Sequence, residues 1–269
     1  MSSKVSYVED SNGNKFTIKQ YNRIISLVPS ITDLLFSFGL ENSIIGVTKY
    51  CTSPENARSL PRKVLGGTKN PQIAEIIELK PDLVLMNQEE NQLKHYNILL
   101  ESNIPVFVTY PRTVLDALAM MKDLKKLFKV ESVQELDFLE TKISRINEEI
   151  SKRKIKRKVF CPIWKKPWMS FNQDTFVSNM IEFCGGENVV RDYSERYPVI
   201  NLAGIKKMDI DLVLLPDEPY SFSQTDKEEL LNFFGQSMQI ELIDGTFHWY
   251  CLKMNSSLDK LLSIINVKS

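Results

Sequence analysis

Two distant stretches of this chain repeat each other. Lys80-Pro-Asp-Leu-Val-Leu-Met-Asn-Gln-Glu89 and Asp209-Ile-Asp-Leu-Val-Leu-Leu-Pro-Asp-Glu218 share Asp-Leu-Val-Leu, and in each a glutamate follows the aspartate by seven positions. Short Asp-Leu-Val-Leu runs suit buried parallel strands, whose two covered faces favour continuous apolar residues. A repeat of this length with matching context predicts two similar units. Between the two copies lies Ser132 to Lys154, with apolar residues at Val133, Leu136, Leu139, Ile143, Ile146 and Ile150 and no Gly or Pro. Steps of three and four predict one helix with a single buried stripe. Ser132 with Glu135 reads as a capping box, and Lys152, Arg153 and Lys154 suit the negative end of the helix dipole. At 1.5 Å per residue such a helix is roughly 35 Å long.

The flanking segments alternate between strand and helix. Val5 to Ile18 predicts a β-hairpin turning at Asn12-Gly13. Strands are expected at Arg23–Val28, Ile44–Val47, before Gly66-Gly67-Thr68, at Leu83–Met86 and at Ile104–Val108, with helices at Ile31–Leu40, Pro71–Leu79, Asn91–Glu101 and Thr113–Phe128. The second half predicts strands at Lys158–Cys161, Glu187–Val190, Leu212–Leu215 and Gln239–Ile243, with helices at Thr175–Cys184, Asp226–Phe234 and Ser256–Ile265. Strands alternating with helices argue for an α/β fold with parallel sheets. The domain reading is an N-terminal β-hairpin over 1–20, an α/β lobe over 21–112, connecting helices over 113–157 and a second α/β lobe over 158–269.

Charge argues against nucleic acid and anionic membrane as general partners, because 34 Lys and Arg balance 34 Asp and Glu. The basic run Lys152 to Lys158 then reads as a solvated helix end leading into a strand. No apolar run is long enough to span a bilayer. The first residues, MSSKVSYVEDSNGNKF, contain no apolar signal core, so the expected location is cytoplasmic, or periplasmic or cell-surface if the natural chain carries a leader. Cys51, Cys161, Cys184 and Cys251 form no zinc pattern and are expected as reduced thiols. With two histidines and no such cluster, no bound metal and no resident cofactor are expected.

In open α/β sheets, ligands bind beyond the carboxyl ends of the strands. The loops expected there carry Tyr50, Tyr110, Trp164, Trp168, Phe171, Tyr220, Phe222, His248, Trp249 and Tyr250, including all three tryptophans. Rigid aromatics on loops can hold a large flat ligand at low entropic cost. No nucleophile–base pair stands out: Ser30, Ser170 and Ser221 lack an elbow motif, and the paired glycines lack a phosphate-loop pattern. No catalytic residue and no enzymatic activity are therefore expected.

At this point the residues resemble a family. GVTKYC, GGTKNP, LKPDLVLMNQEEN, PVFVTYPRTV, CGGEN, LPDEPYSF and the DG…WY stretch are similar to the helical-backbone (class III) periplasmic substrate-binding proteins, in their cobalamin and iron-chelate group, from about Tyr21 nearly to the C-terminus. The resemblance implies two Rossmann-like lobes joined by one long backbone helix, with a metal chelate such as a corrinoid held in a cleft between them for an ABC importer. It assigns ligand contacts to Pro29, Tyr50, Gly67 and Glu90 in the first lobe. In the second it assigns Trp164, Trp168, Tyr197 and Glu218, with Trp249 at the rim.

The chain departs from the family at the importer-docking positions. The resemblance implies an acidic residue on each lobe, but Ala74 and Ala203 stand there, with Glu75 and Glu78 near the first and Lys206 and Lys207 near the second. Docking to a permease is therefore expected to be weak. Two other readings keep the fold: a cytoplasmic chelate carrier or sensor without an importer, and an enzyme acting on the chelate through Cys51, Glu90 or His248.

Overall fold

The repeated aspartates do the same work in two sheets. In the structure, a computed structural model describing residues 6–55, 62–150 and 156–266, Asp82 accepts the N–H groups of Asn22 (2.8 Å) and Arg23 (3.1 Å). Asp211 accepts the N–H of Lys158 (2.7 Å). Each aspartate also donates its own N–H to the residue it clamps, Asp82 to the Arg23 carbonyl and Asp211 to the Lys158 carbonyl. Two residues earlier, Lys80 (φ 46°) and Asp209 (φ 57°) both adopt the left-handed conformation. The repeat is thus a repeated way of starting a strand beside its neighbour.

The chain opens with strands β1 (Tyr7–Glu9) and β2 (Lys15–Thr17), paired antiparallel. The hairpin expected around Asn12-Gly13 is present, but its loop runs from Asp10 to Asn14. Asp10 Oδ1 accepts the N–H groups of Asn12 and Asn14, a local ring that widens the turn, and Gly13 takes φ 80°. Val5, placed in this hairpin from sequence, lies outside the described residues. The loop also bonds to Val108, through Ser11 N–H and through Val108 N–H to Asp10 Oδ2.

Val108 belongs to a five-stranded parallel sheet of order β5-β4-β3-β6-β7. Its strands are β3 (Ile24–Ser26), β4 (Ile44–Val47), β5 (Lys63–Val64), β6 (Leu83–Asn87) and β7 (Val106–Thr109). The helices between them are α1 (Pro29–Ser37), α2 (Ile73–Glu78) and α3 (Leu93–Glu101), and α4 (Val114–Leu127) follows. β7 is an edge strand, and the hairpin loop takes up hydrogen bonds there.

The second sheet has four parallel strands in the order β11-β10-β8-β9. These are β8 (Arg157–Phe160), β9 (Gly186–Asn188), β10 (Leu212–Pro216) and β11 (Gln239–Ile243). Its helices are α6 (Phe176–Phe183), α7 (Leu202–Lys206), α8 (Gln224–Phe234) and α9 (Met254–Ile265). β6 and β10, the two copies of the repeat, are buried at every residue. Burying each Leu or Val contributes about 1.5–3 kcal/mol, which makes both strands core.

The chain divides into two compact units, Met1–Pro111 with Asp116–Asp137, and Arg112–Leu115 with Phe138–Ser269. The last boundary falls within α5 (Gln134–Ile150), after two earlier ones on either side of Arg112–Leu115. Val133, Leu136, Leu139, Ile143 and Ile146 are buried as the periodicity requires. Two details differ from the sequence reading. The helix begins at Gln134, and the Val133 carbonyl accepts the N–H groups of Leu136 and Asp137, so the cap position falls on Val133 and not on Ser132. The buried face also holds a charge: Lys142 is buried with its Nζ 2.6 Å from Asp259 Oδ2 on α9 and 2.8 Å from the Asn255 carbonyl. Residues 151–154 of the expected helix lie outside the described residues. Among the described residues, no helix is long and apolar enough to cross a membrane.

Candidate functional site

In the first unit, one side chain ties together the loops at the carboxyl ends of the strands. Asn91 donates from Nδ2 to the Leu27 carbonyl (3.2 Å) after β3 and to the Thr68 carbonyl (2.9 Å) after β5, while its Oδ1 accepts the Asn87 N–H (2.8 Å) at the end of β6. Asn87 Oδ1 in turn accepts the N–H groups of Glu89 and Glu90, which holds the acidic turn at a fixed place. The sequence places Asn91 at the end of the loop Asn87–Asn91 and the start of a helix, with no role for its side chain. Its role depends on partners 64 and 23 residues away, which no local pattern reveals.

The residues assigned to this lobe fall on the same face. Tyr50 is 52% exposed, and a Cβ built at Gly67 would stand 3.1 Å from its ring. The missing side chain at 67 lets the Tyr50 ring approach, which brings these two positions together. Lys49 Nζ lies 5.0 Å from the Tyr50 ring centroid, within cation–π range. Pro29 is buried as the first residue of α1, and Glu90 is half-buried.

Cys51, next to Tyr50 in the chain, is buried. Its Sγ lies 3.1 Å from Thr32 Oγ1 and 3.2 Å from Thr48 Oγ1. Burial pushes the thiol pKa up, the two threonine hydroxyls pull it partly back, and Glu90 adds to the rise. At neutral pH this is a protonated, inert group. All four cysteines are buried free thiols, as expected for reduced chains.

In the second unit, the loop after β8 forms a small hairpin. Ile163 N–H donates to the Met169 carbonyl, Met169 N–H donates to the Trp164 carbonyl, and Lys166 at the tip is left-handed (φ 66°). The segment around Val199 lies alongside, with Ser170 N–H donating to the Pro198 carbonyl and Ile200 N–H to the Trp168 carbonyl. Trp164 (43%), Val199 (58%) and Tyr197 (41%) all expose large apolar surface on this small sheet.

The loop after β10 interleaves its rings with that hairpin. Trp164 meets Tyr220 edge-on (5.6 Å between centroids), Tyr220 meets Phe222 at 4.6 Å, and Phe222 stacks on Trp168 at 5.9 Å with the planes 8° apart. Such pairs contribute about 0.5–1.5 kcal/mol each beyond burial. The four rings make a continuous aromatic ladder between the loops of β8 and β10. Not every aromatic expected on these loops is available. Phe171, Phe222 and Tyr250 are buried, Tyr250 edge-on against Phe176, so they are core.

Glu218 and Trp249 form a second group on the same face. Trp249 donates from Nε1 to Glu218 Oε2 (3.2 Å), and Lys253 Nζ lies 4.7 Å from the Trp249 ring centroid. Gly245 makes this possible: a Cβ there would stand 2.5 Å from Glu218 Cβ and 2.8 Å from its backbone nitrogen. Partial burial raises the Glu218 pKa. The Trp249 N–H opposes the rise, Asp217 and Asp244 add to it, and Lys253 opposes it. Next to Trp249, burial holds the His248 pKa down at about 3, so this imidazole is neutral. Among the described residues, no group of three or more His, Cys, Asp or Glu is placed to hold a metal ion.

Residues 24–233 match the family described as periplasmic binding protein. A vitamin B12-binding protein of Yersinia pestis is 27% identical over 184 residues, 66% of this chain and 64% of that protein. The matched part thus spans less than two thirds of that relative's length. The crystal structure of the periplasmic vitamin B12-binding protein BtuF of Vibrio cholerae superposes with a TM-score of 0.75 at 16% identity, over 92% of this chain and 97% of that one. The Helicobacter pylori protein Ceue, solved with Ni(II) bound, superposes with a TM-score of 0.80 at 16% identity, over 97% and 89%. At such identities these two likenesses establish the fold.

Proposed function

The chain belongs to the periplasmic binding protein family, a family of substrate-binding proteins, and we propose that its cargo is a large flat metal chelate of the corrinoid or iron-chelate class, handed to an ABC importer. The observation that carries the choice of ligand is the aromatic ladder with its exposed end at Trp164. A planar macrocycle buries its faces best against rings held at fixed angles, and fixed rings lose little conformational entropy on binding. The match to a vitamin B12-binding protein supports the same class. In this reading the Tyr50–Gly67 group of the first lobe and the Trp164–Trp249 group of the second are ligand-contacting surfaces, each on its own lobe. Glu90 and Glu218 accept hydrogen bonds from amide or hydroxyl groups at the ligand's edge, and Pro29 and Tyr197 lie at the margins.

Binding without turnover fits the local chemistry. Cys51 is protonated and enclosed, and the neutral His248 has its Nε2 buried without a hydrogen-bond partner, so neither is poised as nucleophile or base. The proposed location follows the family, outside the cytoplasmic membrane. Permease docking is proposed to be weak. Ala74 and Ala203 are exposed, Glu75 is already paired with Lys63 at 2.5 Å, and α7 presents Lys206 and Lys207.

Native mass spectrometry of the protein purified from its own host tests the ligand class. The expected spectrum contains a retained adduct with the mass of a corrinoid or another metal chelate. A protein recovered bare, and still bare after incubation with aquocobalamin, hemin and a ferric hydroxamate, contradicts the proposal.

A further inference from the structure

Lys165 sits between the two tryptophans of the β8 hairpin, and its side chain turns inward. Only 11% of it is exposed, and its Nζ lies 2.6 Å from Asp226 Oδ1 and 2.6 Å from Glu229 Oε2 on α8. The same Nζ lies 5.6 Å from the Trp168 ring centroid. Asp226 is equally committed: its Oδ2 accepts both the N–H (2.9 Å) and the hydroxyl (2.8 Å) of Ser223, which caps α8. Ser223 directly follows Phe222, the ring that stacks on Trp168. The ion pair and the ring stack therefore close one circuit, from Trp168 through Phe222, Ser223 and Asp226 to Lys165 and back.

We propose that Lys165 is a positioning residue for the chelate-binding surface, fixing Trp164 and Trp168 at the height and angle the ligand needs. This rests on the reading that the aromatic ladder receives a chelate. A charge-assisted pair is short and directional, so it can fix the side-chain packing of a hairpin whose backbone is held at the Trp164 and Trp168 carbonyls. A hairpin whose rings are already in place binds with less ordering cost than one that must find its position on each encounter. Nothing in the local sequence announces this role, because Lys165 and Asp226 lie 61 residues apart.

The test uses the full chain labelled with 5-fluorotryptophan. Its three tryptophans give three fluorine resonances, assigned by single Trp→Phe substitutions. Lys165→Met and Asp226→Asn are expected to move the Trp164 and Trp168 resonances in the ligand-free protein and to leave Trp249 in place. Affinity for aquocobalamin or hemin should fall about tenfold, the scale of one lost charge-assisted contact. Lys165→Arg, which keeps both ion pairs, should return resonances and affinity toward wild type. If Lys165→Met fails to fold, Lys165→Arg and Asp226→Asn carry the comparison. Unmoved Trp164 and Trp168 resonances overturn the proposal, as does movement without loss of affinity, or loss of affinity without movement. Should the wild type bind neither chelate, the ligand reading fails, while the ligand-free resonances still decide whether Lys165 positions the rings.

Discussion

The indole N–H of Trp249 donates to Glu218 Oε2 at 3.2 Å, joining the loops that follow β11 and β10. Partial burial raises the pKa of that carboxyl. A raised carboxylate pKa means the folded chain holds the proton more tightly than the unfolded chain. The resulting stability is fully present below the ordinary glutamate value and is lost as pH rises through the folded value. Glu218→Gln removes the charge and keeps an acceptor for the indole. The variant is expected to melt above wild type at pH 7 and level with it below pH 4, measured by thermal unfolding across that range. A variant that melts lower at pH 7 contradicts this account.

His248 has the opposite linkage. Its folded pKa, about 3, lies far below the ordinary 6.5, so between these values the unfolded chain takes up a proton that the folded chain refuses. Stability from this group is complete above the unfolded value and falls as pH drops toward 3. The slope is up to about 1.4 kcal/mol per pH unit for one proton. His248→Gln should flatten the acid arm of a urea-unfolding series between pH 6 and pH 4. An unchanged arm would show that the imidazole is hydrated in solution.

The repeated aspartates give a prediction for each lobe. Asp82 receives two strand-starting N–H groups and Asp211 one. Asp211→Ala is expected to destabilise by about 1 kcal/mol and Asp82→Ala by up to about 2 kcal/mol, the range for losing a charged acceptor near the surface. Chemical denaturation of each variant checks this, and no change at either position would mean the repeat is only a strand motif.

That repeat is also where the sequence was most legible. Asp-Leu-Val-Leu marked both central strands because full burial demands continuous apolar residues, and the three-and-four stripe marked α5 because one buried face demands that spacing. α7 is only five residues long, too short for periodicity to place it. Residue type alone could not divide the loop aromatics, because Phe222 and Trp164 are both large rings on loops yet one is buried and the other exposed. The ties made by Asn91 and Lys165 were hidden for a different reason: each depends on a partner brought close by the fold.

Docking offers a separate test. With Ala74 and Ala203 exposed and Lys206 bonded to the Phe233 carbonyl at 2.5 Å, the second lobe presents positive charge where the resemblance implies a glutamate. Like charges slow encounter and weaken an interface. Wild-type protein is expected to bind a cobalamin-type permease in nanodiscs weakly, and Ala74→Glu with Ala203→Glu to bind it better. Tight wild-type binding that the double substitution leaves unchanged contradicts this.

Isothermal titration of aquocobalamin and hemin into wild-type protein and Trp164→Ala tests the central claim most directly. Trp164 supplies the exposed end of the aromatic ladder and packs on Tyr220 alone among the ring contacts of that ladder. Its loss should leave the fold intact and weaken binding by about 1–3 kcal/mol, the range for one exposed aromatic at the centre of a contact. The account predicts saturable one-to-one binding of at least one of the two chelates and a clear loss in the variant. Heats of dilution alone for both chelates, or equal affinity in wild type and Trp164→Ala, would contradict it.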